Sequence, residues 1–170
     1  MRSRLMMMMK RRALPAGVLA LLLLLAGPVA VTAQIVFEGT VTRITDGDSV
    51  TLQTGTVSYR ARLHGIDAPE SNQPWGTEAT AALRRIMPVG SRVRVVVPDI
   101  DRYGRLIVRL YVDAGEVNVL MLEAGAAWHY TQFDQSDTYA EAEARARQNR
   151  RGLWAHDTPI PPWDWRRGER

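Results

Sequence analysis

The segment IVFEGTVTRITDGDSVTLQ, Ile35 to Gln53, decides the reading of the fold. Ile35, Phe37, Gly39 and Val41 alternate with neighbours in a β-prone run, Asp46-Gly47 supplies a tight turn, and Val50 and Leu52 carry the return strand. A second turn at Gln53-Thr54-Gly55-Thr56 leads into Val57 to Ile66, where Arg60, Arg62 and His64 share one face and Ala61, Leu63 and Gly65 the other. Three strands in succession predict a β-meander.

Working outward, Ser71 to Pro74 reads as a loop, and Ala79, Ala82, Leu83 and Ile86 fall at helical spacing within Thr77 to Met87. Pro88 and Gly90 stop that helix. Arg92 to Val97 and Leu106 to Val112 supply two further strands, joined by the loop Pro98 to Arg105. Val117 to Ala124 reads as a short apolar helix with Gly125 as its left-handed cap. A third helix runs from Tyr139 to about Arg150, its Glu141/Arg145 and Glu143/Arg147 pairs forming a solvated face. This order of elements fits an α+β, mainly β class, a five-stranded Greek-key barrel of the oligonucleotide-binding type with three helices, though periodicity alone does not decide it. The tail from Thr158, with Pro159, Pro161, Pro162, Trp163 and Trp165, is expected to be extended.

The first 33 residues hold Arg2, Arg4, Lys10, Arg11 and Arg12, no acid, and the apolar stretch Ala13 to Ala26. This is a secretory signal pattern, with Val31-Thr32-Ala33 as the cleavage site and Gln34 as the mature N-terminus. Gly27 and Pro28 interrupt the apolar run, which argues against a membrane anchor. The organisation is therefore a signal peptide at 1–33, a domain at 34–156 and a tail at 157–170. The expected location is outside the cytoplasm, periplasmic or secreted, with no membrane span after cleavage.

Removing those five cations from 22 leaves 17 basic against 18 acidic residues, so the mature chain is close to −1 rather than +4. A global basic field is excluded as the means of binding a polyanion. Lys10 is the only lysine, so any mature phosphate contact must come from local arginines and a metal ion. With no cysteine, the 137 mature residues must be held by an ordinary core, which one domain of that size can supply.

Three short segments concentrate carboxylates and guanidiniums: Asp46-Gly47-Asp48, Arg62 to Glu70, and Asp101-Arg102-Tyr103-Gly104-Arg105. Carboxylates on turns suit a hard cation, and arginine forks suit phosphate oxygens. Asp67 closes an apolar strand before Ala68-Pro69, so its carboxylate is positioned there rather than incidental. Glu70 stands where it can orient or deprotonate a water. Arg62 and Arg105 can neutralise charge on a pentacoordinate phosphorus. His64 has no partner evident in the sequence and is left out of the chemistry.

The ordered motifs Asp-Gly-Asp-Ser, Arg62-x-x-x-x-Asp67-Ala68-Pro69-Glu70 and Asp101-Arg102-Tyr103-Gly104-Arg105, followed by a late helix before Gly152-Leu153-Trp154, closely resemble the staphylococcal nuclease family. The resemblance covers about Val36 to Trp154. It implies a Ca²⁺-dependent phosphodiesterase that cleaves DNA and RNA and leaves 3′-phosphates. It also implies Asp48, Asp67 and the carbonyl of Ala68 as metal ligands, with Asp46 behind them. Glu70 would activate water, Arg62 and Arg105 would bind the phosphate, and Arg102, Tyr103 and Tyr130 would contact the rest of the substrate. The expected partner is single-stranded DNA or RNA, bound by a monomer. Two other readings stand beside it: a catalytically silent nucleic-acid-binding barrel, and an envelope protein that docks through Trp163 and Trp165.

Overall fold

The computed structural model describes residues 34–169, so the signal-peptide reading of 1–33 lies outside the described residues. Strands β1 (Ile35–Ile44), β2 (Ser49–Thr54) and β3 (Val57–Leu63) form the expected antiparallel meander. Strands β5 (Arg92–Ile100) and β6 (Leu106–Val112) extend the sheet from the other edge of β1, in the order β3-β2-β1-β5-β6. A parallel pairing of β3 with β6, Ala61 opposite Leu106 and Leu63 opposite Val108, closes these five strands into a barrel. Closure leaves no long open edge, which an isolated small sheet would otherwise have to protect.

Long β1 serves two neighbours by bending. A register shift between Val41 and Arg43 lets its first half pair β5 and its second half pair β2. Val41, Leu52, Leu63, Val93, Val95 and Leu110 point into the barrel and are buried. Each such side chain contributes about 1.5–3 kcal/mol by leaving water.

Helix α1 (Gly76–Ile86) seats Ala79, Ala82 and Leu83 on this core, and α2 (Val117–Glu123) seats Val117, Met121 and Leu122. Helix α2 ends at Gly125, whose φ of 63° is the left-handed cap read from the sequence. Helix α3 (Asp137–Gln148) packs Ala146 with Trp128, Leu153 and Trp154 in a second, smaller apolar cluster. Among the described residues no helix is long and apolar enough to cross a membrane.

Three expectations change. Strand β3 does not run to Ile66: Gly65 adopts φ 67° and the His64 N–H donates to the Val108 carbonyl, turning the chain. Ile66–Asp67 then forms a separate short strand, β4, paired with Trp128–His129 (β8), so Asp67 sits opposite Trp128. Another two-residue strand, β7 (Gly115–Glu116), folds back to pair antiparallel with the end of β6. The second change is that β5 continues past Pro98 to Ile100, shortening the loop to Asp101–Arg105. Pro98 is tolerated because the β5–β6 register shifts between Val96 and Asp99, where a ladder donor is not required.

The third change is the tail. Instead of an extended segment, Pro162–Arg166 forms a short helix, α4, that follows a 3₁₀ turn at Gly152–Ala155 and lies on the domain. Pro162 sits at its first turn, where its missing N–H costs nothing, and Trp163 packs against the second apolar cluster.

Candidate active site

The Asp46–Asp48 bend lies between β1 and β2, and is held by the Thr45 N–H on the Ser49 carbonyl and the Asp48 N–H on Asp46 Oδ1 at 3.0 Å. Gly47 is packed tightly, because a Cβ there would fall 2.6 Å from the Ala68 Cβ and 3.0 Å from that of Ala79. The bend therefore presses against both β4 and α1. This brings Asp48 to Ala68, whose N–H donates to Asp48 Oδ2 at 3.0 Å.

Asp48 and Asp67 converge on one nitrogen. Arg62 Nη2 is 3.0 Å from Asp48 Oδ2 and donates to Asp67 Oδ1 at 2.5 Å. Ser49 Oγ donates to the other Asp48 oxygen at 2.9 Å. Asp67 is fully buried, and burial pushes its carboxyl above the usual range despite the arginines beside it. Burial, reinforced by the charge of Asp48, lifts Asp46 to about 6. Burial opposes the charge on Arg62, but Asp48 and Asp67 outweigh it and hold the guanidinium above its ordinary value. The sum is a pocket of carboxylates that demands a cation.

Glu70 is placed by its loop. Its N–H donates to Gln73 Oε1 at 3.1 Å, and its carbonyl accepts from the Gln73 N–H. A Cβ at Gly76 would stand 2.0 Å from the Glu70 carbonyl oxygen, so only glycine lets the start of α1 close on this turn. Trp75, just before it, takes φ 74°, a strained conformation for a bulky residue and one concentrated near functional sites.

A second cation, which sequence reasoning missed, occupies this cluster. Arg166 of α4 forks onto Asp67, with Nη2 2.6 Å from Oδ2 and Nη1 3.2 Å from Oδ1, and reaches Glu70 Oε1 at 2.6 Å. The Asp67 hydrogen bonds raise its guanidinium pKa further. Nothing at position 166 marks it, since its partners lie 96 and 99 residues away.

The structure places the remaining expected residues in two groups. Arg105 stands at the start of β6, beside β3, and its Nε donates to Asp101 Oδ2 at 2.7 Å. The other Asp101 oxygen accepts the N–H groups of Tyr103 and Arg105, which shapes the loop. Arg60 Nη2, on the same strand face as Arg62, donates to the Tyr103 carbonyl at 3.2 Å and ties that loop to β3. The side chains of Arg102 and Tyr103 pair with each other at 2.7 Å on the exposed loop. Tyr130 meets α4, its ring stacked on Trp163 with centroids 5.1 Å apart and planes 14° apart, and edge-on to Phe133.

His64 acquires a partner that the sequence did not reveal. Its Nε2 is 3.2 Å from Asp134 Oδ2, which also accepts from Arg109 at 3.0 Å, and His129 Nε2 meets the Asp134 carbonyl at 2.9 Å. This network pins the turn after β8 to the barrel. Burial and the nearby Arg109 charge hold His64 below 6.5. Burial opposes ionisation of Asp134, but hydrogen bonds from Ser136 and the charges of His64 and Arg109 hold its pKa below 3.8. The unfolded chain thus takes up the histidine proton first, and this contribution to stability is lost as pH falls below 6.5; that of Asp134 is lost below 3.8. Asp46 acts in the opposite sense between 6 and 3.8, so a difference measurement is needed. Urea unfolding at pH 7 and pH 5 is expected to show a smaller loss for His64→Gln than for the wild type.

The donor set suits a hard divalent ion. Two carboxylates already meet at a cationic nitrogen, and the Ala68 carbonyl belongs to the same strand end. Among the described residues no group of three acidic, histidine or cysteine side chains is arranged to hold a metal, so any further ligands would be carbonyl, solvent or substrate oxygens.

Residues 60–156 match the family described as "Staphylococcal nuclease homologue". The chain is 39% identical over 130 residues to an "Uncharacterized endonuclease" of Escherichia coli O157:H7, covering 76% of this chain and 84% of the relative. It is 48% identical over 112 residues to the "Probable staphylococcal-like nuclease CAN1" of Oryza sativa subsp. japonica, and 43% identical over 112 residues to the "Staphylococcal-like nuclease CAN1" of Arabidopsis thaliana. Each match covers 66% of this chain but only 34% of the plant protein.

Proposed function

We propose that this chain, which belongs to the family of staphylococcal nuclease homologues, is an exported Ca²⁺-dependent endonuclease acting on single-stranded DNA or RNA. The observation that carries the reading is the convergence of Asp48 and Asp67 on one cationic nitrogen with Glu70 beside them. Asp48, Asp67 and the Ala68 carbonyl would hold the ion, which when bound polarises the phosphate and offsets its charge. Glu70 accepts a proton from the attacking water. Arg62 and Arg105 offer forked donors to the phosphate oxygens, and those contacts strengthen as charge develops on phosphorus. The P–O5′ bond breaks, the 5′-oxygen takes a proton from solvent, and the phosphate stays on the 3′ side. The basic, apolar first 33 residues support export.

The test is hydrolysis of single-stranded DNA and of RNA by residues 34–170, with Ca²⁺ and then with chelator. Calcium-dependent cleavage leaving 3′-phosphates is expected. Binding without cleavage under any divalent ion would replace this reading with that of a silent nucleic-acid-binding barrel. Glu70→Gln, which keeps the shape and loses the base, is expected to lower turnover about 10²-fold with little change in KM. Near-wild-type turnover would remove Glu70 from the mechanism.

A further inference from the structure

The barrel closes without α4, whose Trp163 packs on the second apolar cluster, and α4 also makes specific contacts with the residues that would do the chemistry. Arg166 takes both oxygens of Asp67 and one of Glu70. Trp163 lies flat on Tyr130, as a nucleobase would. Between them the segment is fastened to the loop that carries Glu70. The Ile160 carbonyl accepts from Gln73 Nε2 at 2.7 Å, and Trp165 Nε1 donates to Asn72 Oδ1 at 3.3 Å.

These contacts mimic a cation and a base together. Asp67 is buried and needs positive charge, which a guanidinium and a divalent ion can each supply. A guanidinium forked on both Asp67 oxygens takes lone pairs that an ion would use, so the two compete there. We propose that residues 158–169 are an autoinhibitory segment, with Arg166 holding the place of the divalent cation on Asp67 and Glu70 and Trp163 covering Tyr130, so that cation and substrate bind only after the segment leaves. The inference rests on the nuclease reading above.

Two features make the segment displaceable. The Arg166 side chain keeps 39% of its exposure, so its ion pairs are partly screened by water. Helix α4 has only five residues and no side-chain cap, too short to persist except by its contacts. Ion binding to the segment-free form therefore draws the equilibrium toward release by mass action.

Titration calorimetry with CaCl₂ alone, on wild type and on Arg166→Ala and Arg166→Gln in residues 34–170, tests this directly. Both variants are expected to bind Ca²⁺ at least about tenfold more tightly than wild type, because a competing cation is gone. In parallel, trypsin is expected to cut wild type after Arg166 and Arg167 faster when Ca²⁺ is saturating. Circular dichroism confirms that the variants are folded. Equal Ca²⁺ affinity in all three proteins, or weaker binding by the variants, would overturn the inference and, if cleavage persists, leave the nuclease reading standing. If none of the three binds Ca²⁺ or cleaves nucleic acid, both readings fail together.

Discussion

Arg62→Ala is expected to reduce phosphodiester cleavage by about 10³-fold or more, the largest loss from any single arginine of the site. The argument is that one side chain has two tasks. Its Nη2 draws Asp48 and Asp67 to a common point, and in the proposed reaction the same guanidinium binds the phosphate. Alanine removes both functions. Lysine is expected to restore little, since a point charge on a flexible stem cannot bridge two carboxylates and present a fork as well. Two readouts separate these losses: single-turnover rate at saturating substrate, and thermal stability without divalent ions. Leaving Asp48 and Asp67 short of a partner lowers stability in chelator, and added Ca²⁺ should restore more of it in the variant than in wild type. If Arg62→Ala retained turnover within tenfold of wild type, Arg62 would be no more than a clamp for the carboxylates.

The second large effect concerns the scaffold. Asn118 is fully buried in α2, where its Oδ1 accepts the Leu110 N–H at 3.2 Å and its Nδ2 donates to the His64 carbonyl at 2.9 Å and the Val108 carbonyl at 3.1 Å. It thereby joins the helix, β6 and the turn that leads from Arg62 to Asp67. Asn118→Ala removes the side-chain partner of three backbone groups, of which the Val108 carbonyl keeps the His64 N–H as a donor. The expected loss is about 2–4 kcal/mol in urea-unfolding free energy. Activity per folded molecule should also fall, because the turn at His64 and Gly65 sets where Asp67 emerges. A loss under about 0.5 kcal/mol would mean that water replaces the amide without cost.

Local pattern was enough to locate the strands because each carries its own alternation and each turn its own Asp, Gly or Pro. The pairing that closes the barrel, β3 with β6, has no such local mark, and no reading of the sequence specified it. Within the site, Asp48, Arg62, Asp67 and Glu70 were readable from their order along the chain, and the structure brings them together. What could not be read is contact across long separations. His64 looked solitary because Asp134 lies 70 residues away. Asn118 lies within a segment read only as a short apolar helix, with nothing local to mark its partners. Arg166 was hidden in a tail whose three prolines suggested extension, although a proline at the first turn is compatible with the helix that forms there. Arg102 and Tyr103 show the converse: their motif is plain in sequence, while their side chains pair with each other on an exposed loop.

Gly47 reads as a turn residue, and by that reading asparagine would serve almost as well in its place. Its surroundings specify something narrower. With the methyls of Ala68 and Ala79 where its own Cβ would be, the spacing between the strand ends bearing Asp48 and Asp67 is set by a missing atom rather than by a backbone angle. A sequence filter that accepts Asp-Asn-Asp as equivalent to Asp-Gly-Asp would thus admit chains whose carboxylates are correct in kind and order, but whose two strands cannot approach closely enough to share one ion.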